Sequence, residues 1–101
     1  MTLLHWADNA NVAAWLLLKG ANIKAKDNYG DTPLHYGSNN SHANVNKLLL
    51  VKGATIEARK NDGSTSMHWA SYKGHADVAK LLLFKRANIK AKLLLLKWAN
   101  I

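Results

Sequence analysis

Five histidines, six acids and no cysteine are the side chains from which this chain could build a metal site or an acid–base pair. His5, His35 and His68 each close a similar phrase: Thr2-Leu3-Leu4-His5, Thr32-Pro33-Leu34-His35 and Thr65-Ser66-Met67-His68. Zinc wants two histidines at helical spacing on one face, or a histidine among carboxylates and thiolates. One histidine per phrase, set 30 residues apart (His5 to His35) and then 33 (His35 to His68), supplies neither. His75 with Asp77, near Ser71, holds the residue types of a hydrolytic triad. No nucleophile elbow and no paired carboxylates accompany them. Gly30, Gly37, Gly53 and Gly63 fall at no nucleotide-binding spacing. These residues predict no catalysis, no metal, no cofactor and no small-molecule substrate.

Two further sets recur along the chain. Trp6, Tyr36 and Trp69 directly follow the three histidines. Such a ladder could stack bases, but one aromatic per copy is expected to wedge between helices and supply buried area. The basic residues also file: Lys19, Lys52 and Lys85; then Lys24 and Lys90, with the acid Glu57 between them; then Lys26, Arg59 and Lys92, with Lys60 beside them. The net charge is +8. Lysine near a helix C-terminus suits the helix dipole. A positive stripe would instead attract an acidic peptide or a polyanion. No basic block exceeds two residues, which favours a solvated surface and leaves polyanion or nucleic-acid binding through the loop lysines as the alternative.

The elements that would position these side chains follow from a repeat. Gly20-Ala21-Asn22-Ile23 recurs as Gly53-Ala54-Thr55-Ile56 and as Arg86-Ala87-Asn88-Ile89, at intervals of 33 (Ile23 to Ile56, Ile56 to Ile89). Repetition at such a period marks a stacked array. Within a copy, Thr32 is a good helix cap and Pro33 suits the first helical position. That helix is expected to run to about Asn39, and a second from about Ala43 to Val51, with Gly53 past its end in a left-handed conformation. Asp27-Asn28-Tyr29-Gly30 and Lys60-Asn61-Asp62-Gly63 are turn sequences.

With these residues laid out, GDTPLHYG at 30–37 followed by HANVNKLLLVKGATIEA at 42–58 resembles the ankyrin repeat. Thr65 to Ala70, Lys73 to Val78 and Leu81 to Leu83 carry the match again. The resemblance implies an all-α ankyrin-type solenoid of helix-turn-helix repeats with projecting turn loops. Its units fall at about 1–26 (shortened), 27–59 and 60–92, with a partial unit at 93–101. It also implies that the histidines bond neighbouring backbone between repeats, and that Ile23, Ile56 and Ile89 stand in one file.

For function, the resemblance implies a protein-binding module whose partner touches turn tips and the lip of the first helices; the positive charge would suit an acidic one. Carried over by alignment, those positions are Asn28, Tyr29 and Asp31 with Asn39 and Asn40, then Asn61, Asp62 and Ser64 with Tyr72 and Lys73. The tyrosines are the expected anchors, since they offer large contact area at small entropic cost. Leu94 to Ile101 aligns with Leu16 to Ile23, with Trp98 in place of Gly20, which suggests a short helix over about Lys90 to Trp98 lying across the open end. Its leucines would make that end sticky and prone to self-association. No stretch reaches about 18 apolar residues, and the opening residues lack a basic start. An intracellular protein without membrane insertion is expected.

Overall fold

The computed structural model describes residues 2–99. Within them lie a short 3-10 helix, Leu3–Trp6, and five α-helices: α1 (Ala10–Leu18), α2 (Pro33–Asn39), α3 (Ala43–Val51), α4 (Ser66–Tyr72) and α5 (Ala76–Ala99). No strand occurs among the described residues. The helices form two layers. An inner row holds the 3-10 helix, α2 and α4, and an outer row holds α1, α3 and α5. Helices pack on their neighbours within each row, and each inner helix packs on the outer helix that follows it.

The inner helices start alike because the same two side chains cap them. The Thr32 and Thr65 hydroxyls accept the backbone N–H of His35 and His68 at 3.4 Å. The histidine Nδ1 in turn accepts the threonine N–H at 3.0 Å in both. Two N–H groups that the helix leaves free are thus satisfied reciprocally. The shortened first copy keeps the bond from Thr2 N–H to His5 Nδ1 at 3.1 Å, yet forms only four residues of 3-10 helix.

The core sits between the rows. Leu4, Leu34, Leu49 and Leu82 are buried, with Val45, Val78, Ala7, Ala13 and Ala70. Each leucine withdrawn from water contributes roughly 1.5–3 kcal/mol. Ile23 and Ile56 pack against this core from the loops.

The third copy breaks the file. Gly20 and Gly53 end α1 and α3 with φ of +94° and +99°. Arg86 stands at that place in the third copy, and a left-handed conformation costs a non-glycine residue about 1–2 kcal/mol. The chain stays helical instead, so α5 runs for 24 residues. The expected short helix over Lys90 to Trp98 is therefore wrong as a separate element: those residues are the end of α5, and they do not lie folded across the open end. Ile89 is likewise not filed with Ile23 and Ile56, because it lies on α5 and is 46% exposed. Asn100 and Ile101, which align by sequence with Asn22 and Ile23, lie outside the described residues.

Candidate interaction groove

The turn tips are tied to one another. Asn61 N–H donates to the Tyr29 carbonyl at 2.9 Å, and Asn61 Nδ2 donates to the Asn28 carbonyl at 2.9 Å. Lys26 Nζ reaches the Arg59 carbonyl at 3.5 Å. All three bonds join neighbouring copies. Within the first tip, Asp27 accepts the N–H of Tyr29 and of Asp31 at 2.9 Å, and the Tyr36 hydroxyl at 2.5 Å. Burial pushes the Asp27 carboxyl up, but these donors outweigh it and hold the group below its ordinary value. Burial, together with the same pairing, pushes the Tyr36 hydroxyl well up.

Between the tips and the inner helices runs a groove. Asp31, His35, Tyr36, Asn39, Lys60 and Trp69 line a cavity of about 170 Å³. Asp62, Ser64, His68, Trp69 and Tyr72 line an adjoining one of about 300 Å³, with Trp69 shared between them. Lys60 pairs with Asp31 at 3.4 Å, both side chains being largely shielded from solvent. Its ammonium also lies 4.4 Å from the Trp69 ring centroid, a cation–π arrangement that fixes the ring. Trp69 Nε1–H donates to Ser64 Oγ at 3.0 Å, and Ser64 Oγ donates to Asp62 at 2.6 Å. That hydroxyl bond, with one from the Ser64 N–H at 2.9 Å, holds the Asp62 carboxyl below its usual range.

The aromatics form a run along this groove. Trp6 stands 6.4 Å from Tyr36, Tyr36 and Trp69 wall the same cavity, and Trp69 meets Tyr72 edge-on at 6.1 Å. A family model of ankyrin repeats in three copies matches residues 1–92. The chain belongs to the ankyrin repeat family. No curated protein sequence matches it. Ankyrin repeats are generally protein–protein interaction modules and typically non-catalytic.

Against that ankyrin frame, the residues named from sequence fall into three groups. Asn28 and Tyr29 stand at the first tip, where Tyr29 is 71% exposed, and Asn61 at the second is committed to Asn28. Asp31, Asn39, Asp62, Ser64 and Tyr72 line the groove, and Tyr72 is 83% exposed. Asn40 and Lys73 cap α2 and α4 at the exposed lip, outside both cavities. Asp31 is occupied by Lys60 and, through its carbonyl, by His5 Nε2–H at 2.9 Å. The last bond joins two copies as the resemblance implied. His35 Nε2 makes no well-formed hydrogen bond, although the Ala58 and Ser64 backbone lies beside the ring, and His68 is exposed.

Sequence reasoning misplaces the aromatics. Trp6, expected to wedge between helices, is 69% exposed, and Tyr36 and Trp69 are only half-buried. After the buried His35, the next residue lies about 100° further round the helix, which turns Tyr36 to the groove. Lys60 reads in the sequence as one more loop charge, and nothing beside it announces its seat on Trp69. The signal available is an aromatic after each of the three histidines.

Proposed function

We propose that this ankyrin chain binds a partner protein, without catalysis, along the groove and its rim. The observation that carries the reading is the aromatic run Trp6, Tyr36, Trp69, Tyr72, exposed at both ends and polar along one edge. Tyrosine and tryptophan give contact area while losing little rotamer freedom, and they are enriched where interfaces carry their energy. Asn28, Tyr29 and Asn61 extend the surface at the tips, and Asn39, Asn40 and Lys73 extend it at the lip. Tyr29 and Tyr72 anchor the partner, with Asp31, Asp62 and Ser64 setting polar contacts between them. Rigidity comes from the bonds joining neighbouring tips.

The test is a pull-down from lysate that compares the intact chain with Tyr29→Ala plus Tyr72→Ala. Loss of a captured protein supports the site, and equal capture of every protein refutes it. Repetition at raised salt separates the lysine-driven alternative, because binding to phosphates weakens steeply between about 50 and 200 mM salt. A groove built on aromatic contacts should hold its partner across that range.

A further inference from the structure

The charge of this chain is not spread evenly. Residues 1–77 carry eight basic and all six acidic side chains, whereas Lys80, Lys85, Arg86, Lys90, Lys92 and Lys97 follow with no acid among them. With Asp77 counted, α5 therefore carries a net charge of +5 out of +8, and all six of its basic side chains lie beyond its one acid. Its last turns also have no packing partner among the described residues: every residue from Ala87 to Ala99 is exposed. Leu93, Leu94, Leu95, Leu96 and Trp98 are among them.

Helical spacing divides this tail into faces. Ile89, Leu93 and Leu96 continue the stripe with which Val78 and Leu82 enter the core. Ala87, Ala91, Leu94, Leu95 and Trp98 form a second stripe on the opposite side. Lys90 and Lys97 border that second stripe on one edge, and Lys92 borders it on the other. An apolar strip centred on tryptophan, with lysines along both edges, suits a surface that is greasy below and anionic at its boundary.

We propose that the second stripe of α5 docks this protein on anionic lipid bilayers, the helix lying in the headgroup region with its lysines reaching the phosphates. A crossing helix is not implied, since no described helix is long and apolar enough to span a membrane. Nucleic acid would satisfy the lysines but give Leu94, Leu95 and Trp98 nothing to enter. A second copy docked tail to tail would set lysines against lysines with no carboxylate between them. A bilayer answers the charge and the apolar area of the second stripe, because long lysine stems can lie on acyl chains while the ammonium stays wet; the first stripe faces away from it.

The measurement is co-sedimentation of the full chain with vesicles, either phosphatidylcholine alone or an equimolar mixture of phosphatidylcholine and phosphatidylserine. Binding to the mixture but not to phosphatidylcholine alone is expected. Lys90→Gln, Lys92→Gln and Lys97→Gln together should lower partitioning about a hundredfold. Leu94→Gln, Leu95→Gln and Trp98→Gln together should abolish it, with far-UV circular dichroism unchanged because glutamine keeps helix propensity. Equal sedimentation with both vesicle types overturns the proposal. So does undiminished binding by the apolar triple variant, which would show plain charge attraction to any polyanion. Gel filtration adds a third check: a wild-type dimer that the apolar triple variant reduces to a monomer would put a second copy on the stripe and end the lipid reading.

Discussion

Gly37 and Asn46 form a pair found in the middle copy alone, and changing Gly37 by itself should do harm that changing both together repairs. At the equivalent places the first copy has Ala7 and Ala13, and the third has Ala70 and Ala79. Gly37 lies inside α2, and a Cβ there would overlap Asn46 Oδ1 and stand 2.9 Å from Asn46 Cγ. Asn46 is fully buried; its Nδ2 donates to Ser38 Oγ at 2.9 Å, and its Oδ1 has no partner. Gly37→Ala alone gains about 1 kcal/mol of helix propensity. It must displace a packed carboxamide, at about 1–3 kcal/mol, and break the bond to Ser38, at about 0.5–1.5 kcal/mol. A net loss of about 1–3 kcal/mol is expected. Asn46→Ala alone removes an unsatisfied acceptor but leaves a void beside the glycine, so it should be close to neutral. The double variant restores the alanine–alanine contact of the other copies and should exceed wild type by about 1 kcal/mol, a rise in Tm of about 4–8 °C. Urea unfolding followed by far-UV circular dichroism, read as a double-mutant cycle, gives the coupling directly. Additive single effects, or a double variant no better than Gly37→Ala, would refute the reasoning.

Three other outcomes follow from the same geometry. Ser41 turns the chain between α2 and α3 at φ +60°, where Gly74 serves between α4 and α5 at φ +70°; Ser41→Gly should stabilise the fold by about 1 kcal/mol, visible as a higher urea midpoint. Burial holds His35 below the ordinary histidine range, so the unfolded chain takes up the proton first on acidification. Stability present above about pH 6.5 is then lost as the pH falls toward the folded value, and a urea midpoint that stays level or rises on acidification would contradict this. Arg86→Gly should end α5 near Lys85 and lower the helical circular dichroism signal by the contribution of the residues beyond it; an unchanged spectrum would show that the glycine is not the stop signal.

Much of the inner architecture could be read from letters alone because local chemistry decides it. Thr32 before Pro33 fixes where α2 starts, and Gly53 fixes where α3 stops. The exposed tips at Asn28 and Tyr29 follow from turn residues in the same way. The groove was less legible, since Trp69 owes its place to contacts from the preceding turn and from its own helix: Lys60 over its face, Ser64 on its Nε1 and Tyr72 at its edge. Each lies within nine residues of the ring, yet whether Trp69 turns toward the first two depends on the depth to which Ala70 sinks into the core. Sequence spacing does not set that depth.

The sharpest limit is a hexapeptide that occurs twice. Ala21-Asn22-Ile23-Lys24-Ala25-Lys26 and Ala87-Asn88-Ile89-Lys90-Ala91-Lys92 are identical, and one is a loop while the other is helix. Propensity within the six residues cannot choose between them. In the first copy Gly20 takes the left-handed conformation that reverses the chain, and Ile23 is delivered to the core. In the third, Arg86 continues the helix and forms an ion pair with Glu57 at 3.0 Å, a half-exposed contact worth little by itself. Avoiding a strained arginine matters more, at about 1–2 kcal/mol, and each further helical residue adds a backbone hydrogen bond. Against these stands the lost burial of Ile89 and of the leucines after it. A single position thus decides whether the third copy closes like its neighbours or sends out a basic, leucine-rich arm, and the arm is the part of this ankyrin chain that its own repeat does not explain.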